Sequence, residues 1–141
     1  MSDTDDGREP AAAQVWADRT HRFNAPISLL FGALATDLTG WMRLAPGEVW
    51  PTILESAAPT RVVWSSFWPV SPDDTIELDL VSEGREKTTV RLRWLTDRPP
   101  DDRGIGVTRQ RLNRKIGGDL RGVVSEYFWD NIAPRSQPDA S

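Results

Sequence analysis

Apolar and charged residues alternate between positions 76 and 94, and this pattern predicts a β-hairpin. One register gives three apolar cross-strand pairs on one side: Ile76–Trp94, Leu78–Leu92 and Leu80–Val90. The other side then carries three pairs of opposite charge: Glu77–Arg93, Asp79–Arg91 and Glu83–Lys87. Each such pair contributes about 0.2–1 kcal/mol, and a slip by one residue would place charge against apolar side chains. The register predicts a three-residue loop, Gly84-Arg85-Glu86.

Three more strands are predicted, at 14–23, 48–55 and 61–68. The last two are joined around Ser-Ala-Ala-Pro-Thr, so that Glu55 would face Arg61. Strand alternation over 61–68 would place Trp64, Ser66 and Trp68 on one side and Phe67 on the other.

Helical periodicity indicates two apolar stripes. The first follows Asn24 and Pro26, which suit a helix start, and consists of Ile27, Leu30, Phe31, Leu34 and Ala35. A second short helical piece is predicted at 37–43. The stripe of a long C-terminal helix consists of Leu112, Ile116, Leu120, Val123, Val124 and Tyr127. Gly117-Gly118 interrupts this helix at a cost of roughly 1 kcal/mol per glycine, which indicates either a kink or a close approach.

The order of these elements predicts an α+β fold. A curved antiparallel β-sheet would grip the long C-terminal α-helix, with two short helices after the first strand. We expect a single domain at 14–132, with disordered tails at 1–13 and 133–141.

Composition excludes several kinds of chemistry. The 141 residues contain no cysteine and one histidine, His21, which excludes thiol catalysis and would leave a zinc site almost entirely to carboxylates, an unusual ligand set. The net charge of −4 argues against a nucleic-acid or anionic-membrane partner. The acidic N-terminus lacks the features of a signal peptide, so a cytoplasmic location is predicted. We predict no cofactor and no metal.

The segment Val-Val-Trp-Ser-Ser-Phe-Trp-Pro-Val at 62–70 has three interpretations. Its aromatic rings could fill the core, line a cavity, or form an exposed patch that makes a homodimer through Phe67 and Trp68. On the C-terminal helix, Arg109 and Asn113 lie on or beside the apolar stripe. Arg109 could be a snorkelling side chain or part of a salt bridge near the helix start, or a cation aimed at the mouth of a cavity and ready for a carboxylate or phenolate. The solvent face is predicted to hold Arg111, Arg114, Lys115 and Arg121.

The chain resembles the helix-grip superfamily (START-like, or SRPBCC), including its polyketide-cyclase and Hsp90-activator-homologue branch. The resemblance rests on Phe-Asn-Ala-Pro at 23–26, the segment 37–41, the strand meander and the terminal helix, and it covers roughly residues 14–129. The resemblance implies a ligand cavity between sheet and helix. The family usually has six or seven strands, whereas about five are predicted here, which bears on the size of that cavity.

We therefore expect a non-catalytic protein that binds a small apolar or aromatic molecule. The predicted ligand-binding residues are Trp50, Trp64, Ser66, Trp94, Arg109, Leu112, Asn113 and Ile116. One alternative is a cyclase or dehydratase-like enzyme that draws on Arg109, Tyr127, Glu55 and His21. A second is a protein-interaction or co-chaperone-like module, since the fold alone does not decide among these functions.

Overall fold

The computed structural model describes residues 13–132, which form one five-stranded antiparallel sheet and a long C-terminal helix. The strands are β1 (Gln14–Phe23), β2 (Ile53–Ala57), β3 (Arg61–Ser65), β4 (Thr75–Gly84) and β5 (Lys87–Thr96). Their order in the sheet is β1-β5-β4-β3-β2. Helix α1 (Ile27–Ala35) and a 3₁₀ turn (Leu38–Gly40) follow β1. The predicted α+β fold is confirmed; the predicted tails lie outside the described residues, apart from residue 13.

The C-terminal helix, α2, runs over 102–132 and contains two π-helical segments. An α-helical part at Asp102–Arg114 is followed by a π segment at Lys115–Asp119. A second α-helical part at Leu120–Tyr127 leads into a π segment at Phe128–Ile132. The first π segment contains the glycine pair that the sequence marks as an interruption. A π segment widens the helix locally, which changes the side that the following residues present.

The predicted β4–β5 register is confirmed at its apolar pairs, because Ile76 faces Trp94 and Leu78 faces Leu92. The register shifts between Ser82 and Gly84, so that Gly84 faces Lys87. The predicted Glu83–Lys87 pair is therefore wrong, and the loop contains two residues, Arg85 and Glu86, instead of three.

The two faces of the sheet have opposite character. The inner face carries apolar residues that are buried under the helices: Val62, Trp64, Ile76, Leu78, Leu80, Val90, Leu92 and Trp94. The outer face carries ion pairs. Arg61 contacts Glu55 at 3.2 Å and Glu77 at 3.2 Å. The prediction that Glu55 faces Arg61 is wrong, because Glu55 faces Val63 and Arg61 faces Ala57, so their ion pair runs diagonally across the two strands. The guanidinium of Arg91 binds Asp18 on β1, because β5 lies between β4 and β1.

Two predicted elements in the segment that joins α1 to β2 differ from the structure. The strand expected at 48–55 begins only at Ile53, and the residues before it form a loop. The helical piece expected at 37–43 is a single 3₁₀ turn, capped by the Asp37 side chain, which accepts from the backbone N–H of Thr39 at 3.1 Å. Both differences concern the segment between α1 and β2, which crosses one flank of α2.

Candidate functional site

Five aromatic side chains form a row through the space between the sheet and α2. This aromatic row consists of Trp41, Trp64, Phe67, Trp68 and Trp94. Neighbouring ring centroids lie between 5.8 and 6.4 Å apart, at tilted or edge-to-face angles that aromatic pairs prefer. Three of the rings are fully buried, so the row fills the middle of this space.

The row includes Phe67 because β3 ends before it. The strand stops at Ser65, and alternation no longer applies beyond that residue. The Ser66 hydroxyl accepts from the backbone N–H of Trp68 at 2.9 Å and donates to the Trp68 carbonyl at 3.1 Å. This turn directs both aromatic rings inward. The prediction that Phe67 and Trp64 lie on opposite sides is therefore wrong.

The two fully buried indoles of the row each donate a hydrogen bond to a fixed acceptor. The indole N–H of Trp64 donates to the Leu34 carbonyl at 2.9 Å. That of Trp94 donates to the Asp74 carboxylate at 3.0 Å. A buried indole N–H without a partner is costly, so these bonds fix the rings in place.

At Trp68 the row opens into a cleft of about 390 Å³, which we call the apolar cleft. Its apolar lining consists of Trp68, Val70, Trp94, Pro100 and Val107, and Arg103 and Arg111 also line it. Val70 is 94% exposed and Val107 is 40% exposed, whereas Trp94 forms the buried floor. The cleft lies between one flank of α2 and the loop that joins β3 to β4.

The start of α2 is fixed beside this cleft by a cap and by a close packing contact. The side chain of Asp101 accepts from the backbone N–H of Gly104 at 2.8 Å, which satisfies one of the free donors of the first turn. A Cβ atom at position 104 would lie 2.7 Å from the Cβ atom of Pro100. Glycine at this position therefore allows Pro100 to pack against the helix.

A second cleft, of about 440 Å³, lies on the other flank of α2, where the helix meets β1. We call it the seam cleft. It is lined by Val15, Trp16, Ala17, Asp18, Arg19, Arg109 and Asn113. Two of the residues that the sequence predicts for ligand binding, Arg109 and Asn113, therefore share one opening.

Polar contacts join α2 to β1 along this seam. The guanidinium of Arg109 donates through Nε to the Trp16 carbonyl at 2.5 Å. Nε2 of His21 lies 3.2 Å from Oδ1 of Asn113. A Cβ atom at Gly117 would lie 3.2 Å from the His21 ring, so the helix approaches the strand closely there. Of the two readings of the glycine pair, Gly117 supports the close approach.

The environment of His21 favours the neutral imidazole. Burial lowers its pKa below the ordinary value, and the hydrogen bond to Asn113 partly opposes this. The positive charges of Arg19 and Arg121 lower the pKa further. Since Asn113 offers its carbonyl oxygen, the geometry assigns the proton of the neutral ring to Nε2.

A buried ion pair lies on another flank of α2, which the α1–β2 loop covers. Nζ of Lys115 lies 2.7 Å from Oε1 of Glu48 and donates to the Arg43 carbonyl at 3.0 Å. It also lies 4.9 Å from the centre of the Phe67 ring. Lys115 is 3% exposed, so its predicted position on the solvent face is wrong. The loop covers this flank, and a helical wheel contains no information about the loop.

The predicted ligand-binding residues lie in three environments. Trp64, Leu112 and Ile116 belong to the core, and Trp94 lies between the core and the apolar cleft. The Ser66 hydroxyl is hydrogen-bonded to the backbone of Trp68 within its own turn. Trp50 is 43% exposed in the loop before β2. Arg109 and Asn113 line the seam cleft. Ligand binding by this set remains a prediction.

The residues nominated for an enzymatic reaction each have a different partner. Glu55 pairs with Arg61 on the outer face, and Tyr127 bonds to Glu86 at the far end of α2. His21 and Arg109 contact the seam residues described above. No cluster of three or more His, Cys, Asp or Glu residues suited to a metal occurs within 13–132. Among residues 13–132, no helix combines the length and the hydropathy that a membrane span requires.

Sequence reasoning missed the residues that form the apolar cleft with Trp94. Pro100 and Val107 lie just before and within the first turns of α2, outside the main apolar stripe, where exposed apolar residues carry little signal. It also missed Glu48, whose pairing depends on the path of the α1–β2 loop.

Known structures share this architecture. No protein-family model matches the chain, and no curated protein sequence matches it. The crystal structure of CalU16 from Micromonospora echinospora is 21% identical, with a TM-score of 0.50, over 80% of this chain and 84% of that one. The Aha1 dimer from Colwellia psychrerythraea is 16% identical, with a TM-score of 0.57, over 77% of this chain and 96% of that one.

A third similar structure is that of an HSP90 activator from Plasmodium falciparum. It is 16% identical, with a TM-score of 0.53, over 79% of this chain and 93% of that one. The chain therefore has the helix-grip fold, which it shares with CalU16, the Aha1 dimer and the HSP90 activator.

Proposed function

We propose that this chain is a non-catalytic module that binds a small apolar or aromatic molecule in the apolar cleft. The carrying observation is the lining of that cleft, in which half-buried Trp68 and exposed Val70 and Val107 surround an opening of about 390 Å³. Small-molecule sites have volumes of roughly 300–1,000 Å³ and mainly apolar walls with a few polar groups. Covering this lining would contribute roughly 25 cal/mol per Å² of apolar surface removed from water.

The position of the cleft supports the same proposal. Trp68 and Trp94 are neighbours in the aromatic row, with ring centroids 5.9 Å apart, and the rest of the row supports them from behind. A ligand ring would extend the row by one member at its open end. Binding would then need little rearrangement, because the walls are held by the fold.

The test is an NMR titration with 2-naphthol, a neutral aromatic probe, that follows the indole N–H signals. We expect the signals of Trp68 and Trp94 to shift, and Val107→Gln to weaken binding by roughly fivefold to tenfold because it places an amide in the wall. The matched control is Val81→Gln, which changes an exposed valine on β4, away from the cleft. Equal affinities in both variants and the wild type would contradict the proposal.

A protein-interaction module is the second candidate, and the exposed valines beside Trp68 favour it. Phe67 is fully buried, so a homodimer through the predicted pair would rely on Trp68 and Val70. One structural neighbour is described as a dimer and another as an HSP90 activator. Native mass spectrometry separates the two candidates: added ligand mass on a monomer supports the first, and a ligand-free dimer supports the second.

A further inference from the structure

The seam cleft concentrates hydrogen-bond donors that carry positive charge. Arg19 lies on β1 and Arg109 on α2, and both line the cleft. Arg109 uses Nε for the Trp16 carbonyl, which leaves its two terminal nitrogens available. Asn113 uses its carbonyl oxygen for His21, so its amide nitrogen is left as a donor for the cleft.

These charges have no acidic partner among residues 13–132. Neither Arg19 nor Arg109 forms an ion pair within that range. The acidic residue of the described lining, Asp18, is bound in two places by Arg91, at 2.6 and 2.8 Å. Its charge is therefore already matched on the outer face of the sheet.

Another donor at the seam also lacks an acceptor. The indole N–H of Trp16 is buried and has no hydrogen-bond partner among the described residues. Buried polar groups are nearly always paired, so an unpaired one calls for an explanation. His21 adds no charge to the seam, because burial and the neighbouring arginines lower its pKa and favour the neutral ring.

The cleft has an apolar part as well as a charged part. Val15, Trp16 and Ala17 contribute to its lining, and the volume of about 440 Å³ suits a molecule with a body larger than an inorganic ion. Planar guanidinium groups match the geometry of a carboxylate, which they bind through paired N–H donors.

We propose that the seam cleft is a binding site for a small organic carboxylate. The carboxylate would lie between Arg19 and Arg109, with the Asn113 amide as a further donor, and the apolar body would pack against Val15 and Trp16. This site lies on the opposite flank of α2 from the apolar cleft and does not depend on the function proposed above.

The experiment is a titration of the full chain with benzoate, using benzamide as the neutral analogue of the same shape. Calorimetry measures affinity, and the indole N–H signal of Trp16 reports the location. We expect benzoate to shift this signal, to bind at least about tenfold more tightly than benzamide, and to weaken as salt is added.

Three arginine variants with the same net charge complete the test. Arg19→Gln should weaken benzoate binding by about tenfold, and Arg109→Gln by at least as much. The control is Arg85→Gln, which changes an exposed residue in the β4–β5 loop and should leave the affinity unchanged. Since Arg109 also holds β1, the exposed Arg19 gives the cleaner result.

Two outcomes would overturn the proposal. One is equal affinity for benzoate and benzamide, and the other is an equal loss in all three variants, which would indicate attraction to surface charge alone. The Trp68 and Trp94 signals report separately on the apolar cleft. Failure at one site is therefore distinguishable from failure at the other.

Discussion

The buried charge of Lys115 is stabilised by three groups from other parts of the chain. Its ammonium group is buried between the Glu48 carboxylate, the Arg43 carbonyl and the face of the Phe67 ring. Transfer of two charges from water to the interior costs several kcal/mol per ion, and close contact offsets much of this. Oε2 of Glu48 lacks a partner among the described residues, so the pair is only partly satisfied.

Removal of the cation should therefore destabilise the protein strongly. We expect Lys115→Met to lower the free energy of unfolding by about 3–5 kcal/mol, because Glu48 would be left charged and buried. The double variant Lys115→Met/Glu48→Gln should recover more than half of this loss. Urea denaturation measures both, and Arg114→Met, at the exposed neighbouring position, is the control. A double variant as unstable as the single one would refute this account.

Whether an element could be predicted from the sequence depends on how close together in the chain its evidence lies. The register of β4 and β5 could be predicted because its evidence, alternating charge and apolar character, lies within one hairpin. The bulge near Gly84 could not, since it lies at the end of the hairpin, where the single pair Gly84–Lys87 follows it and no alternation remains to reveal the extra residue. The segment before Ile53 is apolar enough to suggest a strand, but it forms the loop that covers Lys115.

The candidate site was likewise predictable in part: the faces of its residues were, but their grouping into clefts was not. Trp94 and Arg109 could be placed on the inner strand face and beside the helical stripe from periodicity alone. The separation of Arg109 from Trp94 into two clefts could not be predicted, because it depends on which flank of α2 faces β1 and which faces the β3–β4 loop.

The glycines of α2 provide a test at the level of the helix. A Cβ atom at Gly122 would meet nothing within 4 Å, whereas one at Gly117 would press on the His21 ring at 3.2 Å. Alanine is favoured over glycine in helices by roughly 1 kcal/mol. We expect Gly122→Ala to stabilise the protein by up to that amount, and Gly117→Ala to lose this gain or to destabilise. Thermal unfolding compares the two, and equal stabilisation would show that the contact with His21 is unimportant.

For the whole molecule, the seam joins the first strand to the last helix. Arg109, Asn113 and Arg121 on α2 contact the backbone or side chains of β1. Arg121 also lies over the Phe23 ring, 4.5 Å from its centre. These contacts join residues more than 90 positions apart, so they form only when the first strand and the last helix are both in place, and the seam should report on global stability.

His21, the titratable residue in the middle of this seam, should make that stability depend on pH. Burial and the charges of Arg19 and Arg121 keep its folded pKa below the value of about 6.5 expected in the unfolded chain. The unfolded chain therefore binds more protons than the folded one between these two pKa values. The contribution of His21 is complete above about pH 6.5 and is lost as the pH falls toward the folded pKa.

The matching variant is His21→Gln, whose amide can still donate to Asn113 but does not titrate. We expect the free energy of unfolding of the wild type to fall relative to that of the variant as the pH is lowered from about 7 to 5. Urea denaturation at each pH measures the difference, and carboxylates affect both proteins alike. Parallel curves would mean that the pKa of His21 is unchanged by folding. In that case the seam would hold its histidine in a more solvated environment than the contacts with Asn113 and Gly117 indicate.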